Sequence, residues 1–165
     1  MSALLQASAV PSLTTTQVGA IGECLVAAGM LEASGGRLSP FKPVADDDGM
    51  DLLLFDKVTR KAIPLQVKAR RNFDDPKSQT VQFDVRLKTF AREGEGYLLC
   101  IKLEGASVGT LWLIPSADLP TIARQTPTHL TVVPSARVTS RDRLTPYRVT
   151  SFAQAAERIL SRNSA

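Results

Sequence analysis

The segment DLLLFDKVTRKAIPLQVK, residues 51–68, contains two apolar runs separated by a short polar stretch. Side chains along a β-strand alternate between its two faces, so Gln66 and Lys68 lie on one face and the neighbouring apolar residues on the other. An antiparallel hairpin that turns at residues 58–59 pairs position 51 with 66, 53 with 64 and 55 with 62, and directly paired residues share a face. The apolar face then comprises Leu52, Leu54, Ile63, Leu65 and Val67. A shift by one residue would turn one strand's apolar set to the wrong side, so the segment predicts this hairpin and this register.

The same register brings Asp51 to the polar face beside Gln66 and Lys68. An acid, an amide oxygen and a lysine suit metal-assisted phosphodiester hydrolysis, because a hard cation such as magnesium takes only one or two carboxylates from a protein and keeps several waters. The lysine can orient an attacking water, lower its pKa, or offset the charge that develops on a phosphate. The same spacing also fits an alternative without a metal site, an ordinary hairpin in which Asp51 lies at a strand end and Lys68 lies on a solvated face.

Residues 16–32, upstream of the hairpin, have the pattern of an amphipathic helix. Thr14 and Gln17 can form a capping box, and the glycine pair at 35–36 ends the element. The expected buried stripe consists of Val18, Ile21, Leu25, Ala28 and Leu31. Glu23 lies near the border of that stripe, where its carboxylate can reach a metal held at the sheet edge. The alternative is a solvated helix glutamate.

The order helix Glu23, Asp51, then Gln66-x-Lys68 resembles the PD-(D/E)XK nuclease superfamily, which includes many restriction enzymes, archaeal Holliday-junction resolvases and some homing endonucleases. The resemblance covers residues 16–71, about a third of the chain. It implies an α/β fold with a restriction-endonuclease-like core, in which helices flank a central mixed sheet in the order αβββαβ.

The resemblance also implies the role of each matched residue. Asp51 and Gln66 would bind Mg²⁺ or Mn²⁺, Lys68 would be the catalytic lysine, and Glu23 would be the helix acid that helps to hold metal or water. Two positions depart from the pattern, because Gln66 replaces the usual second acid and Gly49-Met50 stands where a proline precedes the first acid. A neutral amide binds a divalent cation more weakly than a carboxylate does.

Further elements follow the hairpin. Residues 97–103 and 109–114 read as two strands, and residues 81–85 as a short strand that leads into a helix ending near residues 94–96. Ser151 and Gln154 can cap a final helix. Trp112 is expected in the core. His129, the only histidine, lies in a threonine-rich strand or loop and is expected to have no part in chemistry.

Length and composition indicate the class of protein. The chain of 165 residues suggests a single domain over residues 14–165, preceded by a flexible N-terminus at residues 1–13. Cys24 and Cys100 have apolar neighbours and are expected to be small buried side chains in a reducing compartment. The sequence shows neither a convincing signal peptide nor a run of the ~18 apolar residues that a membrane span needs. A cytoplasmic location without membrane contact is therefore expected.

A net charge of +4 and a sequence pI of about 9.3 favour a polyanionic partner, and DNA is the one we expect. The basic residues fall into three groups, which are Lys68, Arg70, Arg71 and Lys77; Arg86, Lys88 and Arg92; and Arg137, Arg141, Arg143 and Arg148. In the first group, Arg70, Arg71 and Lys77 are the candidate nucleic-acid contacts. Arg70 shares a strand face with Lys68, which makes it the best of them.

The function that these observations favour is a magnesium-dependent endonuclease that hydrolyses DNA. Two other classes stay open. One is a nuclease-fold protein that binds nucleic acid without cutting it, as Gln66 suggests, and the other is a protein-interaction module in which the acids are structural. The sequence also leaves open whether the chain forms a homo-oligomer.

Overall fold

The computed structural model describes residues 12–45, 49–71, 79–90 and 96–163. Its helices are α1 (Thr15–Ala33), α2 (Leu119–Ile122) and α3 (Phe152–Asn163). Its strands are β1 (Leu38–Phe41), β2 (Leu52–Asp56), β3 (Ala62–Arg71), β4 (Phe83–Arg86), β5 (Tyr97–Glu104), β6 (Ser107–Pro115), β7 (Arg124–Gln125), β8 (His129–Val132) and β9 (Arg148–Val149). None of the described helices is long and apolar enough to cross a membrane.

A six-stranded sheet forms the centre of the molecule, in the order β1-β2-β3-β5-β6-β9. Strands β3 and β5 run parallel and the other neighbouring pairs run antiparallel, so the sheet is mixed, as predicted. Leu52 pairs with Leu65 and Leu54 with Ile63, which confirms the hairpin register predicted from residues 51–68. The side chains of these four residues are buried on one face of the sheet.

Helices α1 and α3 both pack on that apolar face. The predicted capping box of α1 is present: the amide of Gln17 donates to Thr14 Oγ1 at 3.2 Å, and the amide of Thr14 donates to Gln17 Oε1 at 2.8 Å. The predicted cap of α3 is present as well, since the amide of Gln154 donates to Ser151 Oγ at 3.2 Å.

The buried stripe of α1 differs from the predicted one. It consists of Val18, Gly22, Val26 and Met30, whereas Ala28 and Leu31 of the predicted stripe are exposed. The reason is a close approach to β3: a Cβ atom added at Gly22 would lie 2.5 Å from the Cβ of Ala69. Because Gly22 has no side chain, the backbone of α1 approaches β3 most closely at this residue. The face of α1 that is buried therefore contains Gly22 and is rotated away from the predicted stripe of larger apolar residues.

The prediction that both cysteines are buried holds for only one of them, because the rotation of α1 leaves Cys24 on its exposed side. Cys24 on α1 is exposed, so the prediction that it is buried is wrong. Cys100 on β5 is fully buried, as predicted, and burial raises the pKa of its thiol well above the usual range.

A three-stranded sheet, in the order β4-β8-β7, covers the other face of the central sheet. Phe83 of β4 lies 6.0 Å, centroid to centroid, from the ring of Trp112, which is completely buried as predicted. The layers are therefore helices, central sheet and small sheet. After β4 the structure describes a 3₁₀ turn at Leu87–Thr89, and the rest of the helix predicted there falls on residues 91–95, outside the described part of the chain.

A buried ion pair fixes the turn of the β2–β3 hairpin. The guanidinium of Arg37 donates from Nε and Nη2 to the two carboxylate oxygens of Asp56, each at 2.8 Å. The carboxylate also accepts from the amide of Val58 at 2.9 Å and from Thr59 Oγ1 at 2.8 Å. The hydrogen bonds from the Arg37 guanidinium hold the pKa of Asp56 well below its usual range. Burial acts in the opposite direction, and the bonds from Val58 and Thr59 lower the pKa further.

This depressed pKa predicts a pH-dependent contribution to stability. The unfolded chain has an aspartate pKa of about 3.9, so the contribution of Asp56 is fully present above that pH and is lost as the pH falls towards the lower pKa of the folded state. We expect Asp56→Asn to lower the free energy of unfolding at pH 7 and to flatten its decline between about pH 5 and pH 2. Urea unfolding followed by circular dichroism across this range measures both effects. Parallel pH curves for parent and variant would contradict the prediction.

Candidate functional site

A polar cleft of about 490 Å³ lies between the central sheet and the small sheet. One wall belongs to the β2–β3 hairpin and the residues before it, and consists of Gly49, Asp51, Gln66, Lys68 and Arg70. The other wall consists of Asp84, Arg86, Thr89 and His129. The structure thus brings three of the four predicted catalytic residues, together with Arg70, to one concave surface.

Asp51 is fixed to β3 by one hydrogen bond from its backbone and one to its side chain. Its amide donates to the carbonyl oxygen of Leu65 at 3.1 Å, and its carboxylate oxygen Oδ2 accepts from the amide of Val67 at 2.6 Å. The carboxylate acts as a strand partner for β3 just beyond the end of β2. A carboxylate has about four acceptor sites, so it can accept the bond from Val67 and also bind a cation.

Strand alternation explains the rest of the first wall. Gln66, Lys68 and Arg70 are half-buried and alternate along β3 with Leu65, Val67 and other buried residues. Alternate residues of a strand lie ~7 Å apart on the same face. The guanidinium nitrogen Nε of Arg70 donates to the carbonyl oxygen of Gln82 at 3.2 Å, which ties the end of this polar row to the residue just before β4.

Glu23, the fourth predicted catalytic residue, is on α1 and is paired with Lys42. The ammonium of Lys42 donates to Glu23 Oε2 at 2.6 Å, and Glu23 is not among the residues that line the cleft. This hydrogen bond raises the pKa of Lys42, and the negative charges of Glu23 and Asp51 act in the same direction. Lys42, which the sequence pattern did not single out, therefore links the helix acid electrostatically to Asp51.

The other predicted nucleic-acid contacts are not in the cleft. Arg71 follows Arg70 on β3 and so points to the opposite face, where its register partner Leu103 is buried in the core under the helices. Lys77 lies outside the described residues.

The second wall comes from the small sheet and was not predicted. Arg86 of β4 pairs directly with His129 of β8, and Asp84 pairs with Thr131, so the four side chains share the outer face of this sheet. His129 was expected to have no part in chemistry, yet it lines the cleft; its Nδ1 lies 2.8 Å from Thr128 Oγ1.

The carboxylate of Asp84 is held in its charged form. It accepts from Thr131 Oγ1 at 2.7 Å and from Gln82 Nε2 at 3.1 Å. Burial raises the pKa of Asp84, but these hydrogen bonds and the positive charge of Arg70 outweigh it and lower the pKa overall. Asp84 is thus an ionised group in the wall that faces Lys68.

The donor atoms of the first wall fit a hard divalent cation. Among the described residues there is no group of three or more histidine, cysteine, aspartate or glutamate side chains that could hold a metal. The carboxylate of Asp51 and the amide oxygen of Gln66 offer two oxygen ligands, which suits Mg²⁺ because that ion keeps several waters and needs few protein ligands. A closed zinc site, with four nitrogen or sulfur ligands, does not fit this donor set.

Comparison with known proteins places this geometry in a known fold. Neither a protein-family model nor a curated protein sequence matches the chain. Among solved structures, the bacterial homing endonuclease I-Ssp6803I is similar with a TM-score of 0.60 and 18% sequence identity, over 92% of this chain and 97% of that one. This similarity shows a shared fold and confirms the predicted α/β class with a central mixed sheet.

A second solved structure, the Holliday junction resolvase Hjc from Archaeoglobus fulgidus, is similar with a TM-score of 0.46 and 12% identity, over 77% of this chain and 96% of that one.

Proposed function

We propose that the protein is a divalent-metal-dependent endonuclease that hydrolyses DNA phosphodiester bonds in the polar cleft. The observation that carries the proposal is the convergence of Asp51, Gln66 and Lys68 on one face of the hairpin, at a cleft wide enough for a phosphodiester. The fold shared with a homing endonuclease supports the same function.

Asp51 and Gln66 would hold the cation, Mg²⁺ or Mn²⁺, to which they offer one carboxylate and one amide oxygen. When bound, a divalent cation supplies Lewis-acid stabilisation of the charge on a phosphoryl oxygen. Asp51 is suited to this role because its backbone and side chain are both fixed to β3, so its carboxylate needs little reorganisation when a ligand enters.

Lys68 acts on the reacting groups. The oxygen of a water forms a bond to phosphorus while the bond from phosphorus to the leaving oxygen breaks, and negative charge accumulates on the phosphoryl oxygens. The attacking water releases a proton to the solvent, and the solvent protonates the leaving oxygen. The ammonium of Lys68 orients the water by a hydrogen bond and offsets that charge, in a half-buried position where electrostatic interactions are stronger than in bulk water. Arg70 binds the phosphate next to the one that reacts.

Glu23 acts from the helix through Lys42. In the absence of a cation the Glu23 carboxylate is neutralised by the ammonium of Lys42, which also interacts with Asp51. The charge of a cation near Asp51 would oppose that of the Lys42 ammonium, and Glu23 would then be the helix acid that helps to hold metal or water.

A second candidate is a nucleic-acid-binding protein that does not cut. Two observations favour it, the neutral amide at Gln66 and the pairing of Glu23 with Lys42. Incubation of plasmid, single-stranded and branched DNA with the protein and Mg²⁺ or Mn²⁺ separates the two candidates. Metal-dependent cleavage supports the endonuclease, and salt-sensitive binding without cleavage supports the binder.

Gln66 provides a direct test of the metal ligands. If its amide oxygen is a weak neutral ligand, Gln66→Glu adds a second carboxylate, and we expect Mn²⁺ to bind with equal or higher affinity. Isothermal titration calorimetry measures this, with Gln125→Glu on the exposed edge strand β7 as a matched control that leaves the affinity unchanged. Loss of Mn²⁺ binding in Gln66→Glu, with an unchanged circular dichroism spectrum, would show that the amide donors of Gln66 matter instead.

A further inference from the structure

The outer face of the small sheet carries a second cleft next to the polar cleft. Its volume is about 400 Å³, and Arg124, Arg143, Gln82, Thr126, Thr131 and Asp142 are among the residues that line it. Strand register explains how the two clefts are connected. Thr131 of β8 pairs with Asp84 on one side and with Arg124 on the other, so a single cross-strand row runs from the polar cleft into this second one.

The acids of the second cleft and of the small sheet are satisfied within the protein. The carboxylate of Asp142 accepts from the amides of Ser135 at 3.0 Å and Leu144 at 2.8 Å, and from Ser140 Oγ at 2.8 Å. Burial raises the pKa of Asp142, but these bonds outweigh it and lower the pKa. They also fold the loop that carries Arg143, whose neighbour Leu144 is anchored in the core.

The arginines of this face are in a different situation. Arg86, Arg124 and Arg143 are exposed, and within the part of the chain that the structure describes none of the three makes a hydrogen bond or an ion pair through its guanidinium. The two clefts together contain five cationic and three anionic side chains, apart from His129. Cationic side chains therefore outnumber anionic ones in the two clefts, and the resulting positive charge complements a polyanion.

We propose that the second cleft is a phosphate-binding subsite, in which Arg124 and Arg143 contact the backbone of the same DNA that enters the polar cleft. The identity of the ligand rests on the proposed function. Strands β4 and β7 are two strand spacings apart, roughly 10 Å, and a DNA strand with a phosphate every ~3.4 Å of axis covers that span within about three nucleotides.

Salt dependence of binding tests the subsite. Each phosphate contact contributes a slope of about −0.9 to the plot of log affinity against log salt. We expect Arg124→Ala/Arg143→Ala to make the slope shallower by about 1.8 units, about 0.9 for each contact. The double variant should then lose about 12-fold less affinity than the parent between 50 and 200 mM salt. Fluorescence anisotropy of a labelled duplex oligonucleotide, with a chelator present to prevent cleavage, measures the slope.

Two further variants identify the cause of the effect. Arg124→Lys/Arg143→Lys keeps both charges and should retain most of the parent slope. Arg162→Ala removes one exposed charge from α3, on the opposite side of the central sheet, and should leave the slope unchanged. Equal slopes for the parent and the double alanine variant would overturn the subsite, as would an equal change in Arg162→Ala or a parent that has no affinity for DNA.

These outcomes are separate from those of the proposed function. A parent that binds DNA through Arg124 and Arg143 but does not cleave it with Mg²⁺ or Mn²⁺ keeps the subsite and removes the endonuclease. If the parent cleaves DNA but the salt dependence of its binding does not change when these two arginines are replaced, the endonuclease stands and the subsite is overturned.

Discussion

Asp51→Asn and Lys68→Ala should each lower metal-dependent DNA cleavage on the order of 10²–10⁴-fold and leave the protein folded. Asp51→Asn removes the negative charge that holds the cation, but the asparagine oxygen can still accept the hydrogen bond from the amide of Val67. Asparagine is therefore preferable to alanine, which would leave that amide without its partner. Lys68→Ala removes the ammonium from a half-buried strand position without opening the core.

Single-turnover cleavage of a plasmid, with circular dichroism and urea unfolding of each variant, measures the effect. Lys57→Ala is a matched control, since Lys57 is exposed in the turn at the far end of the same hairpin. It should cleave as fast as the parent. Undiminished cleavage by both Asp51→Asn and Lys68→Ala would remove the site from the hairpin.

The first wall of the cleft could be predicted because its geometry is local in sequence. A strand has a period of two, and one register of residues 51–68 buries both apolar sets, so the neighbourhood of Asp51, Gln66 and Lys68 follows from the hairpin alone. The capping box at Thr14 is equally local, because the two residues that form it are three positions apart.

The second wall could not be predicted, because it depends on contacts between distant segments. The alternation of Phe83 and Val85 with Asp84 and Arg86 indicates a strand with one polar face, but not which surface that face borders. His129, which pairs with Arg86, is more than forty residues further along the chain, in a segment with weak strand character. The second cleft needs a third strand and a loop as well, so the proximity of Arg124 and Arg143 was harder still to predict.

The rotation of α1 is a further case in which a long-range contact overrides a local pattern. The larger apolar residues of α1 form a plausible buried stripe. The observed orientation of the helix instead places Gly22 against Ala69 of β3, because only the side of the helix with Gly22 permits this close contact. This rotation also decides the position of Glu23, which follows Gly22 and is paired with Lys42. The position of Glu23 therefore depends on a glycine contact that periodicity does not reveal.

Trp112 packs between the central sheet and the small sheet, and its removal should have the largest effect on stability. It is completely buried on β6, it contacts Phe83 of the small sheet, and its cluster contains Leu130 of β8. We expect Trp112→Ala to lower the free energy of unfolding by about 3–5 kcal/mol, from lost transfer energy and from the cavity that remains. Urea unfolding followed by far-ultraviolet circular dichroism measures this in a chain whose only tryptophan has been removed.

Trp112→Phe separates packing from polar effects. Within the described residues the indole Nε1 is buried without a hydrogen-bond partner, so phenylalanine removes an unsatisfied donor while keeping an aromatic ring against Phe83. Its cost should therefore be much smaller than that of alanine. Because Trp112 anchors the small sheet, amide exchange in Trp112→Ala should accelerate more in β4 and β8 than in β2 and β3. If Trp112→Ala lowers the free energy of unfolding by less than about 1 kcal/mol, the packing role is contradicted. If amide exchange accelerates equally in all four strands, the wall that carries Asp84, Arg86 and His129 does not depend on Trp112 for its position.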